Sequence, residues 1–226
     1  MGSPLGRALR HAKLLLRDDI DLRFLPRVHG IIHVGANIGQ ERHLYDDYDL
    51  AVLWIEPLPE IFAKLRDNIA RFPRQRALQC LVADRDGVPY PFHVANNQGA
   101  SSSMFDFGLH GDIWPDVTFE KTISLEGLTL PSLIAREGID LSAYDALVID
   151  TQGSELLVLR GAALLLPFFQ YVKLEAADFE LYAGCCRLED VETFLKQFGF
   201  REFARRRFAK HPAGGGCYDV IYERRS

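Results

Sequence analysis

The 226-residue chain contains only four cysteines, two methionines and two tryptophans. No two cysteines are spaced as Cys-x-x-Cys, and Cys185 and Cys186 are adjacent, which disfavours both a zinc site and a disulfide framework. So few cysteines also exclude the disulfide-rich class of small secreted domains. We therefore expect no metal site, and we expect a reducing compartment, the cytoplasm.

Long apolar runs are also missing from the sequence. No segment approaches the roughly 20 apolar residues that a membrane-spanning helix needs, and we expect no stable membrane insertion. Residues 5–17 carry a charge every few positions, unlike the apolar part of a signal peptide. Their spacing predicts an amphipathic helix within an N-terminal lead-in, residues 1–27. This helix either covers the core or docks on a membrane surface or a partner.

Basic residues are too few in the body of the chain to form an extended positive surface. The chain has 26 Lys and Arg against 31 Asp and Glu, a net charge of −5. Residues 31–200 carry 13 basic against 25 acidic residues, so the basic residues concentrate at the two ends. A basic face is the electrostatic signature of nucleic-acid-binding proteins. We therefore expect no nucleic-acid partner, whereas a homo-oligomer stays open.

Strand-like apolar runs alternate with helix-like periodic segments from residue 28 onward. The apolar runs predict strands at 28–34, 50–55, 77–83, 88–94, 118–124, 146–149 and 170–175. The periodic segments predict helices at 38–45, 59–71, 130–137, 156–166 and 188–198. Such alternation implies parallel strands that are joined by right-handed crossovers.

Two hairpins are predicted in addition to this alternation. Residues 84–87, Asp-Arg-Asp-Gly, are typical of a hairpin turn between the third strand and the next. Residues 200–208 and 217–222 are expected to pair across the glycines at 214–216. We therefore predict an α/β three-layer sandwich, with a Rossmann-like, mostly parallel sheet and an antiparallel C-terminal edge hairpin, as one domain over residues 28–226.

A glycine-rich turn, Gly35-Ala-Asn-Ile-Gly39, follows the first predicted strand, where open α/β sheets bind their ligands. The glycines allow close approach of a ligand, and the next helix offers free N–H groups. Asn37 and Gln40 occupy the second and third glycine positions of the dinucleotide fingerprint Gly-x-Gly-x-x-Gly. This mismatch disfavours an NAD-dependent oxidoreductase, which we keep as an alternative.

Acidic residues end three of the other predicted strands. Glu56 lies 21 residues after Gly35, and its two oxygens are suited to accept hydrogen bonds from the hydroxyls of a ribose. A solvated acid before a proline turn is the alternative for Glu56. Asp150 and Glu175 end two later strands. Because parallel strands end at one edge of a sheet, the sequence predicts a single site for these residues.

Three motifs resemble those of the FkbM-type methyltransferases, a family of class I S-adenosylmethionine-dependent enzymes. They are His33–Gln40, Ile55–Pro57 and Val148–Gly161, the last containing Asp-x-Gln-Gly-x-Glu. The resemblance covers about residues 29–200 and implies the class I methyltransferase fold. It also implies methyl transfer from S-adenosylmethionine to a hydroxyl oxygen. We expect an acceptor sugar in a surface polysaccharide or glycosylated metabolite, and a polyketide or macrolide acceptor is the alternative.

The resemblance also implies positions for the cofactor. Gly35, Asn37 and Gly39 are expected to border its methionine part, and His33 stands where the family commonly has an acid that helps to hold the cofactor's amino group. The remaining cofactor contacts are Glu56 at the ribose, Asp84 near the adenine and Asp150 near the transferable methyl group.

A hydroxyl acceptor must lose its proton near the transition state, which favours a general base. Asp150 is the first candidate, provided that burial raises its pKa above the ordinary value of ~3.9. The alternative for Asp150 is a contact with the cofactor or a cap on the following helix. Glu175 either orients a substrate hydroxyl or pairs with a lysine. His110 titrates near neutrality and is the third candidate, against a solvated loop histidine. Glu155 is expected to be a buried hydrogen-bond partner.

A polar, almost uncharged loop at 95–103 suits a neutral, polyhydroxylated acceptor. An ordinary connecting loop is the alternative. The candidate acceptor contacts are Asn97, Gln98, Ser101, Ser102 and Ser103. The last alternative for the whole chain is a methyltransferase-like module without catalytic activity. Such a module should have lost its cofactor residues, whereas Gly35, Gly39, Glu56 and Asp150 are all present here.

Overall fold

The computed structural model describes residues 20–225. The strands are β1 Gly30–Val34, β2 Ala51–Glu56, β3 Gln75–Gln79, β4 Leu81–Val82, β5 Pro89–Ala95, β6 Phe119–Leu128, β7 Ala146–Ile149, β8 Tyr171–Ala177, β9 Phe200–Lys210 and β10 Gly216–Arg224. The α-helices are α1 Arg42–Asp47, α2 Pro59–Ile69, α3 His110–Ile113, α4 Leu130–Arg136, α5 Glu155–Gly161 and α6 Leu188–Lys196. The amphipathic helix predicted within residues 5–17 lies outside the described residues.

Seven strands form the main sheet, in the order β3-β2-β1-β7-β8-β10-β9. The first five strands are parallel, and β10 runs antiparallel to both β8 and β9. The chain order reverses between β1 and β7, which is where ligands bind in sheets of this kind. The predicted α/β sandwich with a C-terminal edge hairpin is confirmed.

Each face of the main sheet buries its own apolar cluster. Ile32 and Leu53 face the cluster that includes α4, α5 and α6, whereas Ile31 and Trp54 face the cluster that includes α1 and α2. Successive residues of a strand point to opposite faces, so strands that are covered on both sides are apolar almost throughout. Burial of each such side chain contributes about 1.5–3 kcal/mol to stability. The two helical layers therefore hold the strand ends rigidly at one edge.

The segment before β1 belongs to the same core. Two short 3-10 turns, Ile20–Arg23 and Leu25–Arg27, precede the first strand. Ile20, Phe24 and Leu25 are buried in the cluster that also contains Trp54. Within residues 20–225, no helix is both long enough and apolar enough to cross a bilayer.

The prediction of a hairpin at residues 84–87, between the third strand and the next, is wrong. The chain does turn there, with Gly87 at φ +70°, but β5 pairs antiparallel with β6 instead of with the third strand. A short parallel pairing of β4 with β6 completes a separate three-stranded sheet, β4-β6-β5. A turn bends the chain but does not select the partner strand, and the ten residues of β6 provide a longer pairing surface.

Several predicted elements are shorter in the structure. α1 begins at Arg42 because Asn37 and Gly39 take positive φ values of +44° and +71°, which no helix accommodates. The strand predicted at 77–83 is divided into β3 and β4, and the helix predicted at 156–166 ends at Gly161. All four cysteines are free thiols.

Candidate active site

Two neighbouring cavities open at the carboxyl ends of the central strands. The β1 cleft lies over the ends of β1, β2 and β7 and encloses about 750 Å³ including its open mouth. The β8 cavity lies beside it, is lined by residues of β1, β7, β8, β9 and β10, and encloses about 1270 Å³ including its mouth. Their shared lining consists of His33, Gln40, Glu41 and Asp150. A ligand in the cleft and a ligand in the cavity would therefore both lie against these four residues, of which Asp150 ends a central strand.

The glycine-rich turn forms one wall of the β1 cleft. Gly35 has φ +82°, and a Cβ atom there would lie 1.8 Å from the carbonyl oxygen of Asp150. Glycine at this position lets the turn pack directly on the end of β7. Gly39, at φ +71°, packs against Leu65 and does not line the cleft. Of the three residues expected beside the methionine part of a cofactor, Gly35 and Asn37 line the cleft.

Glu56 joins the turn to the end of β2. Its Oε2 accepts a hydrogen bond from the backbone N–H of Asn37, and its Oε1 accepts one from Leu58, both at 2.9 Å. Each oxygen keeps a second lone pair, and Glu56 lines the cleft. Burial raises the pKa of Glu56 to about 7, against the lowering effect of these two hydrogen bonds. Glu56 is therefore ionised only in neutral to alkaline solution.

His33 is a neutral side chain between the two cavities. It is buried, its Nδ1 lies 3.3 Å from the hydroxyl of Tyr45, and its ring stacks on Trp54 with centroids 5.0 Å apart. Burial, assisted by the charge of Lys173, lowers the pKa of His33 to about 3. The imidazole therefore offers one donor and one acceptor and no charge at neutral pH.

Asp150 follows β7 and lines both cavities. Its Oδ1 accepts a hydrogen bond of 2.6 Å from the side-chain amide of Gln152. Burial raises the pKa of Asp150 to about 6, and the Gln152 hydrogen bond and the charge of Lys173 partly oppose that rise. An aspartate with this pKa is a stronger base than an ordinary one and is still ionised at neutral pH.

Glu155 holds the turn that follows Asp150. Its carboxylate accepts hydrogen bonds from the backbone N–H groups of Thr151 at 3.0 Å and Gly153 at 3.0 and 3.1 Å. Burial raises the pKa of Glu155 to about 7. The structure thus agrees with the expectation of a buried hydrogen-bond partner, and Glu155 lines neither the β1 cleft nor the β8 cavity.

Glu175 lies one strand away from Asp150 and lines the β8 cavity. Burial raises its pKa well above the ordinary value, and the charges of Asp150 and Asp219 raise it further. Lys173 pairs with Asp21 at 2.7 Å and Arg206 with Asp219 at 2.5 Å. Among residues 20–225, Glu175 forms no ion pair, and the nearest lysine on its own strand, Lys173, pairs with Asp21 instead.

Asp84 and His110 lie outside both cavities. The Asp84 carboxylate accepts a 2.5 Å hydrogen bond from Tyr90. The backbone of Asp84, which follows the short strand β4, lies next to Gly161. The residues of this segment that line the cleft are Cys80, Leu81 and Val82. His110 is 1% exposed, and burial lowers its pKa to about 4. The imidazole of His110 is therefore a buried, uncharged side chain, not a solvated one.

The serine-rich loop uses its hydroxyls inside the protein. Ser101 bonds to the Asn97 side chain at 2.9 Å, Ser102 accepts from the Ala95 N–H at 3.0 Å, and Ser103 donates to the Gln152 carbonyl at 2.6 Å. Of the five candidate acceptor contacts, Ser102 alone lines the β1 cleft, and none lines the β8 cavity. The loop therefore covers the cleft and braces the turn after β7.

Sequence reasoning missed Gln152 and Tyr182. The hydroxyl of Tyr182 donates to the Oε1 of Gln152 at 2.7 Å, and Gln152 in turn contacts Asp150. The signal for Gln152 was its place inside the Asp-x-Gln-Gly motif. Tyr182 is 30 residues away in the chain. The signal for Tyr182 was its place, next to Leu181, in the part of the sequence that resembles the FkbM-type methyltransferases, but no local pattern linked it to Gln152.

Comparisons with known proteins agree with this geometry. A family model described as the methyltransferase FkbM domain matches residues 33–202. The 2-O-methyltransferase NoeI of Sinorhizobium fredii (strain NBRC 101917 / NGR234) is 27% identical over 176 residues, which cover 74% of this chain and 71% of NoeI.

Solved structures show the same fold at low sequence identity. Magnesium protoporphyrin IX methyltransferase (ChlM) from Synechocystis PCC 6803, solved with bound SAM, superposes with a TM-score of 0.50 at 8% identity, covering 100% of this chain and 86% of ChlM. PH0226 protein from Pyrococcus horikoshii OT3 gives a TM-score of 0.50 at 10% identity, with coverages of 96% and 91%. The class I methyltransferase fold is thereby confirmed.

Proposed function

The chain belongs to the family of FkbM methyltransferase domains, and we propose that it transfers a methyl group from S-adenosylmethionine to a hydroxyl oxygen of a sugar. The observation that carries the proposal is the meeting of two cavities at Asp150, a carboxyl whose pKa lies near 6. One cavity suits the methyl donor and the other suits the acceptor.

The residues of the β1 cleft fit S-adenosylmethionine. The free lone pairs of Glu56 suit the two ribose hydroxyls, and the apolar surfaces of Leu81 and Phe92 suit a purine ring. His33 and Asn37 offer polar atoms for the amino-acid part. S-adenosylmethionine supplies an electrophilic methyl group when it is bound. The missing glycines of the dinucleotide fingerprint count against NAD.

Asp150 is the proposed general base. Its Oδ1 is engaged by Gln152, so its Oδ2 is the oxygen that is available to an acceptor hydroxyl. With S-adenosylmethionine bound, the acceptor oxygen would displace the sulfonium sulfur from the methyl carbon, the sulfur leaving with the electron pair of the C–S bond, and Oδ2 would take the proton of the hydroxyl. Glu175, on the next strand, provides a second carboxyl that can orient the same acceptor. Most of the remaining rate acceleration is positioning of the acceptor.

The lining of the β8 cavity supports a sugar acceptor. Glu41, Lys173 and Glu175 offer hydrogen-bonding groups, and the ring of Phe208, 44% exposed, offers a flat apolar surface to the face of a sugar ring. The name of the relative NoeI specifies 2-O-methyl transfer, which favours oxygen as the methylated atom. A macrolide acceptor, the second candidate, would leave more of these polar groups without a hydrogen-bond partner from the acceptor.

The test is an acceptor panel with S-adenosylmethionine that is radiolabelled in its methyl group. Purified protein is incubated with neutral oligosaccharides or with macrolides that carry free hydroxyls, and the Asp150→Asn variant is the control for base-dependent transfer. We expect label in an oligosaccharide with the wild-type protein and at least a hundredfold less with Asp150→Asn, within the usual contribution of a general base. Label in the macrolides alone would contradict the sugar proposal.

A further inference from the structure

We propose that Gln152 is a positioning residue that holds the Asp150 carboxyl in its working orientation, and that Tyr182 and Ser103 hold Gln152. The inference rests on the proposed function, because it concerns the same general base. It gives the serine-rich loop a task that differs from acceptor binding.

Three hydrogen bonds define the position of Gln152. Its side-chain nitrogen donates to the Oδ1 of Asp150 at 2.6 Å, and its side-chain oxygen accepts from the Tyr182 hydroxyl at 2.7 Å. Its backbone carbonyl accepts from the Ser103 hydroxyl at 2.6 Å. The backbone of Gln152 has φ +55°, a left-handed conformation that is uncommon for a residue other than glycine. With the backbone in this conformation, the side-chain amide contacts Asp150.

The partners at its two ends fix which way the amide points. Ionised Asp150 offers only acceptors, so the nitrogen of Gln152 must face it. Burial and nearby carboxylates raise the pKa of Tyr182 far above the ordinary value, so its phenol keeps its proton and donates to the Gln152 oxygen. Rotation of the amide by half a turn would place the side-chain oxygen of Gln152 against the Oδ1 of Asp150, with no proton between them. Gln152 is therefore the donor to Oδ1, and Oδ2 remains for the acceptor hydroxyl.

Tyr182 is itself fixed by the loop that precedes α3. Its side chain is fully buried, and its ring lies 5.8 Å from that of Phe107 and 5.4 Å from that of His110, measured between centroids. Phe107 and Tyr182 also form an isolated β-bridge, and the N–H of Gly108 donates to the Leu181 carbonyl at 3.1 Å. His110 thus acts through packing, as part of the support for Tyr182.

The experiment measures the pKa of the Asp150 carboxyl in the full-length protein, without any acceptor. The chain is labelled with 13C at aspartate carboxyl carbons, and each resonance is followed over pH by NMR. The variant Asp150→Asn identifies the Asp150 signal by its disappearance. The compared proteins are the wild type, Gln152→Glu, Tyr182→Phe and the matched control Gln170→Glu. Gln170 is exposed and precedes the amino end of β8, so its replacement adds the same charge far from the site.

We expect Gln152→Glu to raise the pKa of Asp150 by about one unit or more, because a donor is replaced by a carboxyl. Tyr182→Phe should raise the pKa of Asp150 by a smaller amount, because the Gln152 amide loses its hydrogen bond to Tyr182 and donates to Asp150 for only part of the time. Gln170→Glu should leave it within about 0.2 unit, as expected for a distant, screened surface charge.

The proposal is overturned if the Asp150 pKa in folded Tyr182→Phe and folded Gln152→Glu equals that of the wild type. If Gln152→Glu does not fold, Tyr182→Phe alone decides, since it keeps the glutamine and removes only one hydroxyl. The titration does not depend on methyl transfer, so a chain that fails the acceptor panel can still support the role of Gln152.

Discussion

The substitution Glu56→Gln tests the proposed ribose contact while it preserves the volume of the side chain. In the wild type, each carboxylate oxygen accepts one backbone N–H at 2.9 Å and keeps a second lone pair for a ligand. Glutamine has a single acceptor oxygen, so it can no longer satisfy both N–H groups and accept from both ribose hydroxyls. Loss of one hydrogen bond to a charged group costs about 1.5–3 kcal/mol.

We therefore expect Glu56→Gln to bind S-adenosylhomocysteine about 10- to 100-fold more weakly than the wild type. The measurement is isothermal titration calorimetry at pH 8, where Glu56 is mostly ionised because its pKa is about 7. The wild-type affinity should also rise between pH 6 and pH 8, and that rise should disappear in the variant.

Glu60→Gln is the matched control, because the Glu60 side chain is 83% exposed on α2. Its effect on affinity should be less than about twofold, as is usual for an exposed charge. Equal affinities of the wild type and Glu56→Gln at pH 8 would refute the ribose assignment.

Two further substitutions test the framework of the site. Gly35→Ala should lower the free energy of unfolding by more than about 3 kcal/mol in chemical denaturation. The reason is that the Cβ of alanine would lie 1.8 Å from the Asp150 carbonyl oxygen, and that residue 35 has φ +82°. A variant as stable as the wild type would contradict that packing. Burial raises the pKa of Glu155 from 4.5 to about 7, so the folded state holds a proton that the unfolded state has lost, and stability falls as pH rises from 4.5 to 7. Glu155→Gln should reduce that fall by up to about 3 kcal/mol in denaturation curves recorded across this range, and an unchanged pH dependence would rule out the raised pKa.

The edge of the sheet that holds the site could be predicted from the sequence. Parallel strands end together, so the residues that follow their apolar runs must meet. Glu56 and Asp150 were found in this way, and both line the β1 cleft. Local pattern is sufficient here because burial on both faces leaves each strand as a distinct apolar run.

Strand pairing and hydrogen-bond partners could not be predicted in the same way. The turn at 84–87 has hairpin composition, yet pairing with β6 places Asp84 away from the cleft. The composition of the 95–103 loop suggests free hydroxyls, but Ser101, Ser102 and Ser103 bond inside the protein. Whether a polar side chain faces a ligand or another part of the chain depends on contacts distant in sequence.

The most direct test of the central claim is a calorimetric titration of the purified protein with S-adenosylhomocysteine, the demethylated product, with NAD as the control ligand. The account predicts binding of S-adenosylhomocysteine in the micromolar range and no detectable binding of NAD. Folded protein that binds neither ligand would contradict the cofactor assignment and favour an interaction module without catalytic activity. Binding of NAD alone would contradict it in favour of an oxidoreductase.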